Sequence, residues 1–287
     1  LGIEVRFADV ANLEDVDKYR DDKTRLLFFE TITNPQLEII DFKPTAAYCK
    51  KHGLLLMVDS TTTPPYIFNS IKLGVDVEVM STTKFISGGA AAFGGAILDN
   101  GTFDYSTLPA LKTWSDKFGA NAFIARLRKE IFRHFGGSMT AHTAHYMNMG
   151  LDVLALRVDR VVENCMALGE FLKTLPQVID VNYPGLPGNP YYQLSQIQFY
   201  GKPGGVLTFD LKSDKACYEF MDRLQVIRRA TNLSDNKTLI IHPYHTIYSE
   251  FSAQEKDEMD VRSTSLRLSV GIEDVADLID DIELALA

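Results

Sequence analysis

Basic residues are scarce in this sequence. Lys and Arg number 29 against 38 Asp and Glu in 287 residues, a net charge of −9 and a pI near 5.2. Duplex nucleic acid needs a basic footprint, so no nucleic-acid partner is expected. Polybasic attachment to an anionic membrane is disfavoured for the same reason. Long apolar runs are also lacking: the best, Leu54 to Val58, falls far short of a membrane span. No secretory signal pattern is seen at the start. The three cysteines, Cys49, Cys165 and Cys217, are scattered and odd in number. That excludes a CxxC pair and a disulfide framework and fits a reducing cytoplasm, each cysteine reading as a small buried hydrophobe. Neither GxGxxG nor a Walker-A lysine occurs, so nucleotide binding has little support. Repeats and low-complexity tracts are missing too.

What is present is an ordinary globular composition, 46% hydrophobic and 23% charged, in a chain long enough for two domains. The first half alternates short apolar runs with helical patterns. Arg25 to Phe29, Leu54 to Val58, Val77 to Met80 and Gly95 to Leu98 read as strands. Asp41 to His52 reads as a helix stopped by Gly53, and Phe68 to Leu73 as another stopped by Gly74. This order implies right-handed crossovers and a mainly parallel sheet flanked by helices. In the middle, Leu154, Val158, Val161, Cys165, Leu168 and Leu172 form one helical stripe. A turn-rich stretch, Tyr183 to Pro190, precedes a change of pattern. Gly205 to Leu211 reads as a strand, Asp214 to Leu224 as a helix, and Ser265 to Val270 as a half-buried strand. Glu273 to Leu286 closes the chain as an amphipathic helix. The division expected is a large domain over 1–145 and a smaller C-terminal α/β domain over 146–287.

Ligands of open parallel sheets bind beyond the carboxyl ends of the strands. Three strands here end in polar groups: Glu30 with Asn34, Asp59, and Ser81-Thr82-Thr83-Lys84. Asp59 is either a turn or N-cap acid or a buried carboxylate facing a cationic ligand atom. Lys84 alone would read as a solvated lysine. Its neighbours, hydroxyls before it and Gly88 to Gly95 after it, suit a phosphate and a flat ligand close to the backbone. A desolvated lysine can act as a nucleophile. His242 with His245, and His142 with His145, raise the question of a metal. No third ligand of convincing spacing accompanies either pair, and no metal is expected.

Taken in order, Glu30-Thr31-Ile32-Thr33-Asn34-Pro35, Val58-Asp59-Ser60-Thr61-Thr62-Thr63-Pro64-Pro65 and Ser81-Thr82-Thr83-Lys84-Phe85-Ile86-Ser87-Gly88-Gly89 are much more specific. With Lys237 to Pro243 and Leu266 to Glu273, they resemble the cysteine/methionine-metabolism family of pyridoxal-phosphate enzymes, nearest to its O-acetylhomoserine sulfhydrylases. The resemblance covers essentially the whole chain. It implies the aspartate-aminotransferase-like fold (fold type I) and pyridoxal 5'-phosphate as cofactor. Lys84 resembles the lysine that bonds to the cofactor and shuttles protons. Asp59 resembles the partner of the pyridine nitrogen, Ser81 and Thr83 phosphate ligands, and Asn34 a group near the phenolic oxygen. Thr61 sits where the family places a small side chain under the ring. Arg267 resembles the clamp on the substrate α-carboxylate, with an ion pair at a strand edge as the bland alternative, and Asn232 is a weaker candidate for the same task. Ser234 stands where the family usually has Gly.

The activity implied is γ-replacement on O-acetylhomoserine with sulfide or a thiol, giving homocysteine in methionine biosynthesis. Methionine γ-lyase and cystathionine γ-synthase or lyase activities are the alternatives within the family, and a catalytically incompetent scaffold or fragment is the alternative outside it. The partners implied are an amino-acid substrate, a sulfur donor and further copies of the chain in a homodimer or homotetramer. The family's N-terminal phosphate loop and ring-stacking Tyr are expected to lie outside this chain, which begins at Leu1-Gly2-Ile3.

Overall fold

The computed structural model describes residues 2–287. Strands β1 (Leu26–Glu30), β2 (Leu55–Asp59), β3 (Val77–Ser81) and β4 (Gly95–Asp99) form one sheet in the order β1-β2-β3-β4. β1, β2 and β3 are parallel, so the mainly parallel reading holds for them. β4 runs antiparallel to β3. The segment between them holds only a 3₁₀ turn at Phe85–Ser87, and without a crossover helix the chain returns antiparallel.

The helix Phe42–His52 follows β1. Asp41 caps it by accepting from the Lys43 amide, and Gly53 ends it at φ 65°. The helix expected over Phe68 to Leu73 is reduced to the 3₁₀ turn Ile71–Leu73. The Asn69 side chain takes up the Lys72 amide, and Gly74 stops the turn at φ 79°.

A second sheet holds β5 (Val178–Asn182), β6 (Val206–Leu211), β7 (Arg228–Arg229), β8 (Leu239–Ile241) and β9 (Ser265–Ser269), ordered β5-β6-β9-β8-β7. All its pairings are antiparallel except β7 with β8. β9 was expected to be half-buried. It lies instead at the centre of the sheet, and Leu266, Arg267, Leu268 and Ser269 are all buried. Leu266 and Leu268 pack into the apolar core with Leu278 and Ile282 of the helix Val275–Leu286. Arg267 reaches to Asn34 in the first half of the chain. The alternation is real, but its polar side faces the other half of the molecule and not water.

The long helix Leu154–Leu172 buries every residue of its predicted stripe. Each such side chain contributes about 1.5–3 kcal/mol on leaving water. The core clusters cross between the two sheets. Met80, Phe85 and Ile86 pack with Leu207, Leu266 and Leu268. Phe29, Leu56 and Val58 pack with Phe199, Val206 and Leu233. No described helix is long and apolar enough to cross a membrane.

Candidate active site

The carboxyl ends of β1, β2 and β3 meet in register, with Glu30 opposite Asp59 and Asp59 opposite Val79. Asp59 Oδ1 accepts from the Thr61 amide at 2.8 Å, and Thr61 Oγ1 accepts from the Ser81 amide at 2.9 Å. Thr61 thus ties the end of β2 to the end of β3, in addition to the small-side-chain role the resemblance gives it. Burial of the Glu30 carboxyl, with the charge of Asp59 second, raises its pKa to about 7, although the residue as a whole still reaches solvent. The same carboxylate accepts from the Asn34 amide at 3.1 Å, which opposes the shift.

Lys84 follows β3 by three residues and is half-buried. Its Nζ donates to Asn232 Oδ1, and Asn232 Nδ2 donates to Asp235 Oδ2 at 3.1 Å. Burial, then the nearby Arg267 charge, lower the Lys84 pKa, while Asp235 opposes them. Proton loss from this amine is therefore easier than from a lysine in water.

The loop around Lys84 is held from both sides. Arg157 is buried and donates from Nη2 to the carbonyls of Phe85 and Gly150 at 2.7 and 2.8 Å. Asn236 donates to the Gly88 carbonyl at 2.7 Å. The Thr83 hydroxyl is taken up by Gly94, accepting from its amide at 3.0 Å and donating to its carbonyl at 3.3 Å. Here Thr83 closes the glycine-rich loop on itself, while the resemblance gives it a phosphate.

Arg267 is 2% exposed. It donates to Asn34 Oδ1 and to the carbonyls of Thr231 and Asn232, each at 3.1 Å. All of these acceptors are neutral. Among the described residues Arg267 has no ion-pair partner, and its Nε is buried without a hydrogen bond. The ion pair of the bland alternative is not found. Burial lowers the pKa to about 10, which leaves the group charged at neutral pH. Tyr248, whose hydroxyl lies 3.4 Å from the Asn34 carbonyl oxygen, packs beside Arg267 and Glu30. Tyr248 and Asp235 lie outside the sequence motifs and were not foreseen. Glu30 was visible as a polar strand end but carried no role.

The predicted residues therefore fall into two connected groups. Asp59, Thr61 and Ser81 make one, Lys84, Asn232, Arg267 and Asn34 make the other, and the Thr83 side chain joins neither, being bonded to Gly94. Glu30 touches both, through Asn34 and through Asp59. A cleft of about 370 Å³ lined by Gln36, Asn182, Thr208, Asp260 and Arg262 includes none of these residues and approaches them only at Pro35, beside Asn34. Chemistry and not cleft size places the site.

This donor set suits pyridoxal phosphate. It holds a carboxylate at Asp59, an amine of lowered pKa at Lys84, a hydroxyl at Ser81, and at Arg267 a buried guanidinium whose Nε has no hydrogen bond, the kinds of group that a pyridine nitrogen, an aldehyde, a phosphate and a carboxylate require. With the two sheets and their helices, it defines a fold type I pyridoxal-phosphate enzyme. The sequence matches the family described as "Cys/Met metabolism PLP-dependent enzyme" over residues 1–287, and the chain belongs to that family. O-acetyl-L-homoserine sulfhydrylase 1 of Thermus thermophilus is 37% identical over 100% of this chain and 72% of its own length. L-methionine gamma-lyase of Pseudomonas putida is 32% identical over 99% of this chain and 67% of its own. Among solved structures, the O-acetylhomoserine sulfhydrylase of Wolinella succinogenes superposes with a TM-score of 0.89 at 44% identity, over 100% of this chain and 78% of that one. A Campylobacter jejuni protein described as an O-acetylhomoserine (thiol)-lyase gives 0.93 at 31% identity, over 99% of this chain and 71% of that one, and contains a pyridoxyl-lysine monophosphate.

Proposed function

We propose that the protein carries out γ-replacement on O-acetylhomoserine, with sulfide or a thiol as sulfur donor, to give homocysteine. Arg267 is the observation that carries this reading. A buried, charged guanidinium with only neutral acceptors is expensive unless an anionic ligand completes it. The α-carboxylate of an amino acid is such a ligand, and a planar fork suits it. The names of several relatives support an O-acylated homoserine as that amino acid.

Bound pyridoxal phosphate supplies an electron sink for charge that develops at the substrate's α carbon. This chain's residues do the rest. Asp59 offers its carboxylate to the pyridine nitrogen and Ser81 its hydroxyl to the phosphate, while Thr83 can turn to the phosphate only by releasing Gly94. Thr61 braces the floor between β2 and β3, and Asn34 lies between Arg267 and Glu30. Arg267, with Asn232 at its side, holds the α-carboxylate and so fixes which substrate bond faces the amine. Lys84 takes the α proton and then a proton from the β carbon, whose electron pair expels the γ substituent, and it returns protons once the sulfur has added, a task its lowered pKa favours. Loss of acetate from the γ carbon leaves the position the sulfur nucleophile fills.

The likeness to a methionine γ-lyase supports a second reading, in which the same groups eliminate. One experiment separates them. The pyridoxal-phosphate-loaded protein is given O-acetylhomoserine with and without sulfide. Homocysteine with sulfide, and little keto acid without it, supports replacement, whereas rapid keto-acid release without sulfide, and from methionine supplied in a parallel assay, supports elimination. A folded protein that never acquires the visible absorbance of bound cofactor would instead be a non-catalytic scaffold. The reading also places the protein in the cytoplasm as a homodimer or homotetramer. Three buried, unpaired cysteines suit the first, and the exposed side chains of Phe93, Phe132 and Phe135 suit the second. A subunit-sized mass by light scattering would contradict the assembly.

A further inference from the structure

We propose that Asp214, His242 and His245 form a binding site for one divalent cation of the zinc class, remote from the chemistry of Lys84. His242 directly follows β8, His245 closes the short turn after it, and Asp214 opens the helix Asp214–Arg223. His242 Nε2 and His245 Nε2 both lie 2.9 Å from Asp214 Oδ1, and the three ligand atoms are all within 4.8 Å of one another. A tetrahedral ion about 2.0–2.2 Å from each atom sets its ligands about 3.3–3.6 Å apart, so the carboxylate would draw back from the rings and the side chains would adjust by up to about an ångström.

Hydrogen bonding accounts for only part of this cluster. His245 Nε2 pairs with the Asp214 carboxylate. His242, the deepest of the three at 1% exposed, has both ring nitrogens buried without a hydrogen bond, despite its closeness to the same oxygen. An imidazole left in that state costs free energy that a metal ion would recover. Tyr218 stacks on the His242 ring, with centroids 5.4 Å apart and planes 25° apart, and fixes its orientation. Two imidazoles and one carboxylate select zinc, cobalt or nickel over magnesium or calcium. Water would fill the remaining position on the solvent side, where His245 and Asp214 are part-exposed. Sequence spacing hides the site, because its third ligand comes from an element well upstream of the histidines.

The test uses the untagged full chain, stripped with a chelator and titrated with Co²⁺. The expected result is one equivalent bound, with visible d–d absorption of tetrahedral strength, displaced by Zn²⁺. Asp214→Ala and His245→Gln change part-exposed side chains, so both should keep the wild-type circular dichroism. Each should weaken binding tenfold or more. No d–d band in the wild type, or equal affinity in folded forms of both variants, would overturn the proposal. The second result would place the ion at other histidines such as His52, His134, His142 or His145.

Discussion

Arg267 and Glu30 are the two residues whose surroundings say most about the chemistry. Arg267 is held by neutral groups alone, so its charge is available to a ligand. Replacing it with lysine keeps the charge and removes the fork. The expected loss is about 2–3 kcal/mol of substrate binding, on the order of 10²-fold in kcat/KM and mostly in KM, with the absorbance of bound cofactor retained. Steady-state kinetics on Arg267→Lys with unchanged KM would place the substrate carboxylate elsewhere. Glu30 makes a different prediction. Its pKa rises from an ordinary 4.5 to about 7 in the folded protein, so the folded state holds the proton more tightly than the unfolded chain. Below 4.5 both states are protonated and the group costs nothing. Between 4.5 and 7 the unfolded chain ionises first, stability falls, and the cost stays constant above. Glu30 is an exposed residue, so solvent screens much of this cost, and Glu30→Gln removes the part that is left. In the cofactor-free protein its urea midpoint should exceed wild type at about pH 8 and match it at about pH 4. An equal difference at both would show that the carboxyl is not shifted.

At the scale of elements, the loop that carries Lys84 is fixed by close backbone approach. A Cβ on Gly150 would sit 2.1 Å from the Ile86 carbonyl oxygen and 2.6 Å from the Gly88 amide nitrogen. Gly150→Ala should cost about 1–3 kcal/mol or more, because the obstacle is backbone and cannot swing away. It should also loosen cofactor binding, which a pyridoxal-phosphate titration would read. The segment Asn232 to Asp235 carries the opposite strain. Ser234 sits at φ 54°, fully buried, with its hydroxyl unpartnered. This is the position where the family resemblance points to Gly, and the backbone shows why. Ser234→Gly should raise stability by about 1 kcal/mol, as relief of strain and of the orphaned hydroxyl outweighs the added freedom of the unfolded chain. A lower thermal midpoint would contradict that reading.

These elements also show what the sequence could reveal. The strands β1, β2 and β3 were legible because each is a short apolar run ending in a polar group, and the helix Phe42–His52 because Asp41 and Gly53 mark its ends. β4 kept its place but not its direction, since direction depends on whether a crossover helix fits in the connection. β5 and β7 were missed because Val178–Asn182 mixes apolar and polar residues and Arg228–Arg229 is only two residues long. Lys84, Asp59 and Arg267 were visible through ordered motifs. Tyr248, Asp235 and Arg157 were not, because what they do depends on contacts between distant segments, and no local pattern records those.

Over the whole molecule, the two sheets are bound by shared cores and by hydrogen bonds that cross between them. Phe42 N donates to Gln198 Oε1 at 2.8 Å, and Gln198 Nε2 donates to the Ile40 carbonyl at 3.0 Å. Arg267 reaches Asn34 and Lys84 reaches Asn232 across the same boundary. The halves should therefore unfold together. The single tryptophan, Trp114, packs beside the first sheet with Leu55 and Val77, so its fluorescence reports on that half alone. Its urea transition should coincide with that of far-ultraviolet circular dichroism, and two separated transitions would show independent domains. The same joining brings Arg267 of the second sheet near Lys84 of the first, and it underlies the proposed reaction. The most direct test is homocysteine formation from O-acetylhomoserine and sulfide, measured for the cofactor-loaded wild type and for Lys84→Ala. The account predicts turnover in the wild type, with both turnover and the absorbance of bound cofactor lost in the variant. Turnover that survives Lys84→Ala undiminished would contradict it.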